Sequence, residues 1–258
     1  MIIDLHVHHC LSAEPRTDFA AMERLKRVAK AVGISHVCLL GNVFRYGIRA
    51  SREGIRKIND STIALVRRDP GFVSGFCFIN PTLPRAVIRE EVQRCVRAGL
   101  SGVKLEIDLN ARDRRMRHLM EAAADLDVPV LHHAWYKSHE KYPHESDPSD
   151  IADLARRFPA CRIIMAHVVA AGVRGVLDVA ECKNVMVDTS GSQPVAGMVE
   201  YAVRMLGADR VVFGSDVCGR DFSCQLGKVL GAELKASDRR KVLYDNARKV
   251  LKLEGGKR

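Results

Sequence analysis

Eight short apolar runs, separated by stretches of helical periodicity, constrain this chain more than any other feature of its sequence. The runs cover residues 2–7, 35–40, 73–78, 102–107, 128–133, 162–166, 184–187 and 210–213. Most are rich in Val, Ile, Leu or Phe, which suits strands buried on both faces of a parallel sheet. Between them, apolar residues recur at helical spacing over 19–31, 63–66, 86–96, 116–126, 151–158, 195–206 and 242–251. Several of these stretches stop at Gly33, Gly99, Pro159 or Gly207, residues that end helices by left-handed geometry or by lacking an N–H. Alternation of this kind predicts an α/β fold, a single closed (β/α)8 TIM barrel, and 258 residues is close to the ~250 such a barrel needs. An open doubly wound sheet is the alternative, but no G-x-G-x-x-G follows the first run. No linker or low-complexity segment divides the chain, so one domain over 1–258 is expected.

Composition narrows the function classes. No stretch approaches the ~20 consecutive apolar residues of a membrane span. Met1 leads directly into Ile2-Ile3-Asp4-Leu5-His6 without a basic segment and a cleavable apolar one, so a cytoplasmic protein is expected. The eight cysteines form no C-x-x-C pair and mostly sit in apolar runs, as buried reduced thiols do. The net charge of +10 is spread along the chain, and its densest clusters, 112–115 and 238–241, read as a solvated surface. No nucleic-acid-binding signature accompanies them, so a small molecule is the expected partner and nucleic acid is not.

If a barrel forms, chemistry belongs at the carboxyl ends of its strands. The first run ends in His6-Val7-His8, whose alternation turns both imidazoles to one side, with Asp4 at the same parity. The fifth ends in His132-His133, the sixth is followed by His167, and the eighth by Gly214-Ser215-Asp216. Each alone is weak. Four strand ends carrying His or Asp at one rim point to a metal site, because buried charge rarely goes unpaired. Imidazoles with one carboxylate suit zinc with a position left for water.

These motifs also carry a family resemblance. The chain resembles the amidohydrolase superfamily, in the branch of aminocarboxymuconate-semialdehyde decarboxylase-like metal-dependent hydrolases and decarboxylases. The resemblance runs through Ile3-Asp4-Leu5-His6-Val7-His8, Phe78-Ile79-Asn80-Pro81, Gly102-Val103-Lys104-Leu105 and Val130-Leu131-His132-His133. It continues through Ile163-Ile164-Met165-Ala166-His167, Val187-Asp188-Thr189-Ser190-Gly191, Val212-Phe213-Gly214-Ser215-Asp216 and Asn246-Ala247-Arg248-Lys249-Val250-Leu251. It implies one divalent metal, zinc first with manganese or a second metal left open, ligated by His6, His8, His133 and Asp216. His167 would be a base or a fifth ligand, and Asp216 would also move a proton. Alternation along the fifth strand does not choose between His132 and His133; the family pattern selects His133. Asp4, Lys104 and Asp188 would support the ligands or, for Lys104, bridge two metals; Glu106 shares the face of Lys104. The chain departs from the family where Cys218 replaces a common Pro and Val168-Val169 a common Gly-Gly, which bears on the substrate more than on the metal. Cys10 and Cys218, after neighbouring strands, could approach one another, although two unrelated loop thiols is the plainer reading.

Two long connections, 41–53 and 134–148, hold the substrate cues. Arg45, Arg49 and Arg52 could clamp a carboxylate, and Trp135 and Tyr136 could wall a pocket, whereas His139 and His144 are not expected to be ligands. The leading expectation is a metal-dependent hydrolase, with metal-activated water attacking an amide, ester or lactone of a small acidic molecule. The alternative is a metal-dependent non-oxidative decarboxylase of a carboxylated aromatic or enoate. Behind these stand a deoxyribonuclease resembling the TatD family, disfavoured by Gly102-Val103-Lys104-Leu105, and a binding barrel without catalysis. A homodimer is left open.

Overall fold

A computed structural model of the chain describes residues 1–9, 17–43, 46–47, 49–137, 141–191 and 195–253, with backbone alone at 169. The apolar runs form parallel strands: β1 (Ile3–Val7), β2 (His36–Leu39), β3 (Val73–Gly75), β4 (Cys77–Phe78), β5 (Val103–Leu105), β6 (Val130–His132), β7 (Ile163–Met165), β8 (Val185–Asp188) and β9 (Val211–Val212). β1 to β3 pair in order, as do β4 to β9. β3 and β4 are one stave interrupted at Phe76, whose N–H bonds back to Leu39 O at 2.9 Å while Cys77 N–H bonds onward to Gly102 O at 2.9 Å. The ring closes where Leu5 N–H meets Phe213 O at 3.0 Å, Asp216 N–H meets His6 O at 2.7 Å, and Val7 bridges Val217 in parallel. The result is the eight-stave TIM barrel that the alternation predicts.

The outer helices are α1 (Phe19–Ala31), α2 (Arg52–Arg68), α3 (Arg85–Arg97), α4 (Met116–Asp125), α5 (Pro148–Arg157), α6 (Val168–Asp178), α7 (Met198–Leu206) and α8 (Phe222–Leu230). A terminal segment follows, with α9 (Ala236–Arg240), a π-helical turn over Lys241–Asp245, and α10 (Asn246–Val250). Local chemistry sets several starts: Asp18 accepts from Ala21 N–H, Ser51 from Gly54 N–H, and Asp147 and Asp150 form a reciprocal capping box on α5. Helix α2 begins well before the 63–66 periodicity, because Ser51 caps it and Ile55 and Ile58 are already buried. Helix α7 starts at Met198 rather than 195, since Gly197 at φ 76° lies outside helical space. Helix α6 escapes a period-based reading because it is apolar nearly all round and breaks at Gly172; α8 also lay outside that reading. No helix among the described residues is long and apolar enough to cross a membrane.

Two apolar clusters hold the layers. The larger lies between staves and helices. The smaller joins Leu5, Leu40, Phe76, Leu131, Ile164 and Val212 to Ala247 and Val250 of α10. Staves on opposite sides of a ring meet only in its lumen, so these residues pack the barrel's interior. Each fully buried Leu, Ile, Val or Phe contributes roughly 1.5–3 kcal/mol. The register of β1 shifts between Asp4, opposite Val37, and Val7, opposite Leu39. Three steps on one strand against two on its neighbour interrupt simple alternation just before the H-x-H.

Candidate metal centre

His6 and His8 converge at the carboxyl end of β1. Their Nε2 atoms lie 3.2 Å apart, and each faces Asp216 Oδ1, at 3.5 Å and 3.6 Å. The opposite nitrogens are committed. His6 Nδ1 donates to Asp188 Oδ2 at 2.7 Å, and His8 Nδ1 to Gly41 O at 3.3 Å. A second pair repeats the pattern. His167 Nε2 lies 3.2 Å from His133 Nδ1, while His167 Nδ1 donates to Ser190 Oγ at 2.8 Å and His133 Nε2 to Glu145 Oε1 at 2.9 Å. Ser190 Oγ in turn donates to Asp188 Oδ1 at 2.5 Å, which leaves it an acceptor for His167. These bonds place the proton on the outward nitrogen of all four rings. Four lone pairs therefore point inward, and within each pair two of them oppose one another at 3.2 Å. Such an arrangement is repulsive by itself and fits a cation held among the rings. His6, His8 and Asp216 form one grouping with ligand atoms mutually within 4.8 Å, and His6, His167 and Asp188 a second. In the second, Asp188 is an orienting group, for it also accepts from His167 N–H at 2.9 Å and from Ser190.

Glu106, just past β5, lies between the pairs: Oε1 is 3.9 Å from His8 Nε2 and Oε2 is 3.7 Å from His133 Nδ1. Lys104, fully buried, holds Oε1 at 3.0 Å. Burial alone would raise the Glu106 pKa, but the Lys104 ammonium, which also hydrogen-bonds the carboxylate, together with the neighbouring His133 and His8 rings, outweighs it and holds the carboxyl at about 2. Burial also favours the neutral form of His8 and His167: it lowers His8 to about 4 and, with the neighbouring rings, takes His167 well below its ordinary value. His132 points away from this cluster, with Nδ1 2.6 Å from His133 O, and burial lowers it to about 4. Asp4 does not meet the rings. Its Oδ1 accepts from His6 N–H at 3.1 Å and Ser215 N–H at 3.0 Å, tying β1 to the end of β9. Burial raises its carboxyl to about 7.

Backbone geometry delivers these groups at a cost. His167 and Asp216 adopt φ of 66° and 61°, a left-handed conformation costing about 1–2 kcal/mol for a residue with a Cβ. Gly214 allows the last stave to approach the first, since a Cβ there would sit 2.8 Å from His6 Cβ.

A cavity of about 760 Å³ opens above the rings. His8, Glu106, His133, His167 and Asp216 contribute to its lining, with Val43, Ile107, Trp135 and Tyr142 as apolar wall and Lys137, Glu145, Cys218 and Arg220 also facing it. Trp135 lies nearly parallel to the His133 ring, 18° between planes, and 5.4 Å from that of His167. Of the other residues proposed from sequence to touch substrate, Tyr136 is 42% exposed and bonded to Arg174, and Arg49 donates to Asp108 O at 3.4 Å; neither lines the cavity. Arg45, Cys10 and His139 lie outside the described residues, whereas Arg52 pairs with Glu90 and His144 is exposed. Glu145, Ser190, Lys137 and Arg220 escape the sequence reading. The two cations were findable as basic residues in rim loops. Ser190 lies in the motif Val187-Asp188-Thr189-Ser190-Gly191 without being singled out, and Glu145 carries no local signal, since only folding brings it to a ring.

Comparison with known proteins agrees with this geometry. The amidohydrolase family profile matches residues 3–253. A curated family protein called CutC, from Xanthomonas axonopodis pv. citri (strain 306), is 28% identical over 127 residues, 46% of this chain and 48% of its own length. The chain thus spans about half the length of the curated relative it matches. Among solved structures, the 5-carboxyvanillate decarboxylase LigW from Sphingomonas paucimobilis superposes with a TM-score of 0.77 at 16% identity, over 97% of this chain and 98% of its own. A dihydroxybenzoic acid decarboxylase from Polaromonas sp. JS666, with bound manganese and the inhibitor 2-nitroresorcinol, gives 0.74 at 18%, over 98% and 97%. A candidate 2-pyrone-4,6-dicarboxylic acid hydrolase from Pseudomonas putida gives 0.72 at 19%, over 98% of both chains. At these identities the structures speak for the fold, and the family profile, covering nearly the whole sequence, decides membership: the chain belongs to the amidohydrolase family.

Proposed function

We propose that this chain is a metal-dependent non-oxidative decarboxylase of a small planar acid, a carboxylated aromatic or enoate. The observation that carries the reading is the setting of Trp135, a flat wall directly beside the converging imidazoles. The full-length likeness to decarboxylases of carboxyvanillate and dihydroxybenzoate supports it. Hydrolysis of an amide, ester or lactone, first in the sequence reading, becomes the second reading, favoured by the likeness to the Pseudomonas putida protein.

His6, His8, Asp216 and His133 would hold one divalent ion, with Glu106 beside it. The nitrogen-rich set suits zinc, and the Polaromonas protein contains manganese. When bound, the ion supplies Lewis acidity toward an acidic oxygen of the substrate. The chain's own groups do the rest. Trp135 stacks the ring. Lys137 and Arg220 draw in and orient acidic substituents. As the carbon–carboxyl bond breaks, CO2 leaves, the electron pair stays on carbon, and that carbon takes up a proton. His167, held neutral with Nδ1–H on Ser190, offers Nε2 to take a proton from solvent and pass it to that carbon, and Asp216 is the other group able to do so. The protein acts on its small-molecule substrate as one catalytic unit over 1–258, in the cytoplasm, with a homodimer as the assembly to test.

The deciding experiment supplies zinc- or manganese-loaded protein with hydroxybenzoates, carboxylated enoates, lactones and esters, and measures CO2 alongside product. Stoichiometric CO2 with the descarboxy product is the expected result. Opening of lactones or esters without CO2 would replace this reading by the hydrolytic one, and cleavage of DNA in magnesium would overturn both.

A further inference from the structure

Glu145 belongs to the connection between β6 and α5, yet it is only 1% exposed. Its carboxylate is divided between two masters. Oε1 takes the His133 Nε2–H at 2.9 Å; Oε2 meets Lys137 Nζ at 3.0 Å and accepts Tyr142 N–H at 3.2 Å. Glu145 and Ser146 are braced from the connection after β5, because Asn110 Nδ2 donates to Glu145 O at 3.2 Å and Ala111 N–H to Ser146 Oγ at 2.9 Å. Lys137 is itself packed over the Tyr142 ring, 4.0 Å from its centroid.

A neutral imidazole carries its proton on one nitrogen, and the partner of the other nitrogen decides which. A carboxylate only accepts, so beside Glu145 the proton sits on Nε2 and the Nδ1 lone pair turns inward, 3.2 Å from His167 Nε2. The other tautomer would aim an N–H at the cavity, where no cation can bind it. Lys137 supplies the balancing charge that makes a buried carboxylate affordable here.

We propose that Glu145 is a positioning residue of the metal centre: with Lys137 as counter-ion, it locks His133 as the tautomer that presents Nδ1 to the metal. Lys137 and Glu145 then set metal affinity as well as lining the cavity. This rests on the reading of His133 as a ligand.

The test measures zinc affinity of the full chain by competition with a chromogenic chelator. Glu145→Gln keeps an acceptor oxygen but loses the charge, and Glu145→Leu loses both. The dissociation constant should rise roughly 10-fold in the first and roughly 100-fold in the second, the span usual for groups that orient a ligating His. Lys137→Met should raise it several-fold in the native background and add little to Glu145→Leu, because both act through one carboxylate. The second readout is the 15N spectrum of labelled histidine in zinc-loaded protein, where His133 shows Nε2–H and loses that uniformity in Glu145→Leu. A merely structural Glu145 would lower the melting temperature of the metal-free protein and leave affinity and tautomer alone. Unchanged affinity and tautomer in Glu145→Leu, in a protein where His133→Ala has lost zinc, overturns the inference. Unchanged affinity in His133→Ala overturns the ligand reading beneath it.

Discussion

The two imidazole pairs of the centre are alike in spacing and unlike in support. His6 and His8 lie on or next to a stave, and their outward nitrogens meet Asp188 at the end of β8 and the carbonyl of Gly41 just past β2. His133 and His167 lie past the ends of β6 and β7, and their outward nitrogens meet Glu145 and Ser190, both in connections. Of these groups only His6 and Asp188 lie within staves; Gly41, Glu145 and Ser190 lie in connections, so the second pair takes both of its partners, and the first only one, from segments whose courses the ladder does not dictate. The difference suits a division of labour. Three rings, His6, His8 and His133, are placed to hold a metal, and a proton is moved best by the fourth, His167, kept neutral and oriented by a chain of partners.

The largest effects should separate the metal-holding groups from His167. His6→Gln and Asp216→Asn are expected to lose nearly all bound metal, measured by plasma mass spectrometry, and activity with it. His167→Gln should retain close to the native metal content while turnover falls about 10²- to 10⁴-fold, the usual worth of a general acid–base. Equal loss of metal in His6→Gln and His167→Gln would dissolve the division.

Asp188→Asn comes next. Asp188 accepts from His6, from His167 N–H and from Ser190, so it touches both pairs. Metal affinity should fall roughly 10- to 100-fold, and turnover should fall further than metal loading explains. A variant that loses affinity alone would confine Asp188 to the first pair.

Acid should attack the metal-free protein through its buried rings. His8 and His132 are lowered to about 4 by burial, from an ordinary value near 6.5. A depressed histidine contributes stability that is complete above pH 6.5 and is lost as pH falls toward 4, because only the unfolded chain then takes up the proton freely. Asp4, raised to about 7 by burial, works in the opposite sense over the same window, so the effect is read as a difference: between pH 7.5 and pH 5 the native metal-free protein should lose roughly 1–3 kcal/mol more stability to urea than His132→Gln does. An equal change in the two proteins would show that this ring is solvated when metal is absent.

The smallest effect distinguishes two neighbours. Trp135 lines the cavity and Tyr136 does not. Trp135→Ala should raise KM about 10-fold, in line with the roughly 1–2 kcal/mol of an aromatic contact and its buried area. Tyr136→Ala should change KM less than about 2-fold, as surface substitutions do. A reversal would relocate the substrate to the outer face of the same connection.

Much of the centre is legible in the chain. His6-Val7-His8, His132-His133, His167 and Asp216 each end an apolar run, and a parallel barrel gathers strand ends at one rim, so their meeting follows from pattern, although the choice of His133 over His132 comes from the family resemblance. Asp188 is legible for the same reason. Asp4 misleads, because the register shift in β1 defeats simple parity and turns its carboxylate to backbone N–H groups. Helix α6 hides because its first turns lack a polar face to set a period.

What the sequence determined by itself is whatever depends on periodicity and on residue type at strand ends: the eight staves, the rim, and a His/Asp set with the chemistry of a metal site. What only the tertiary structure decided is which nitrogen each ring presents. That choice belongs to partners between 12 and 182 residues away in the chain. A hydrogen bond between such residues leaves no trace in local pattern, since its geometry exists only once the staves have closed.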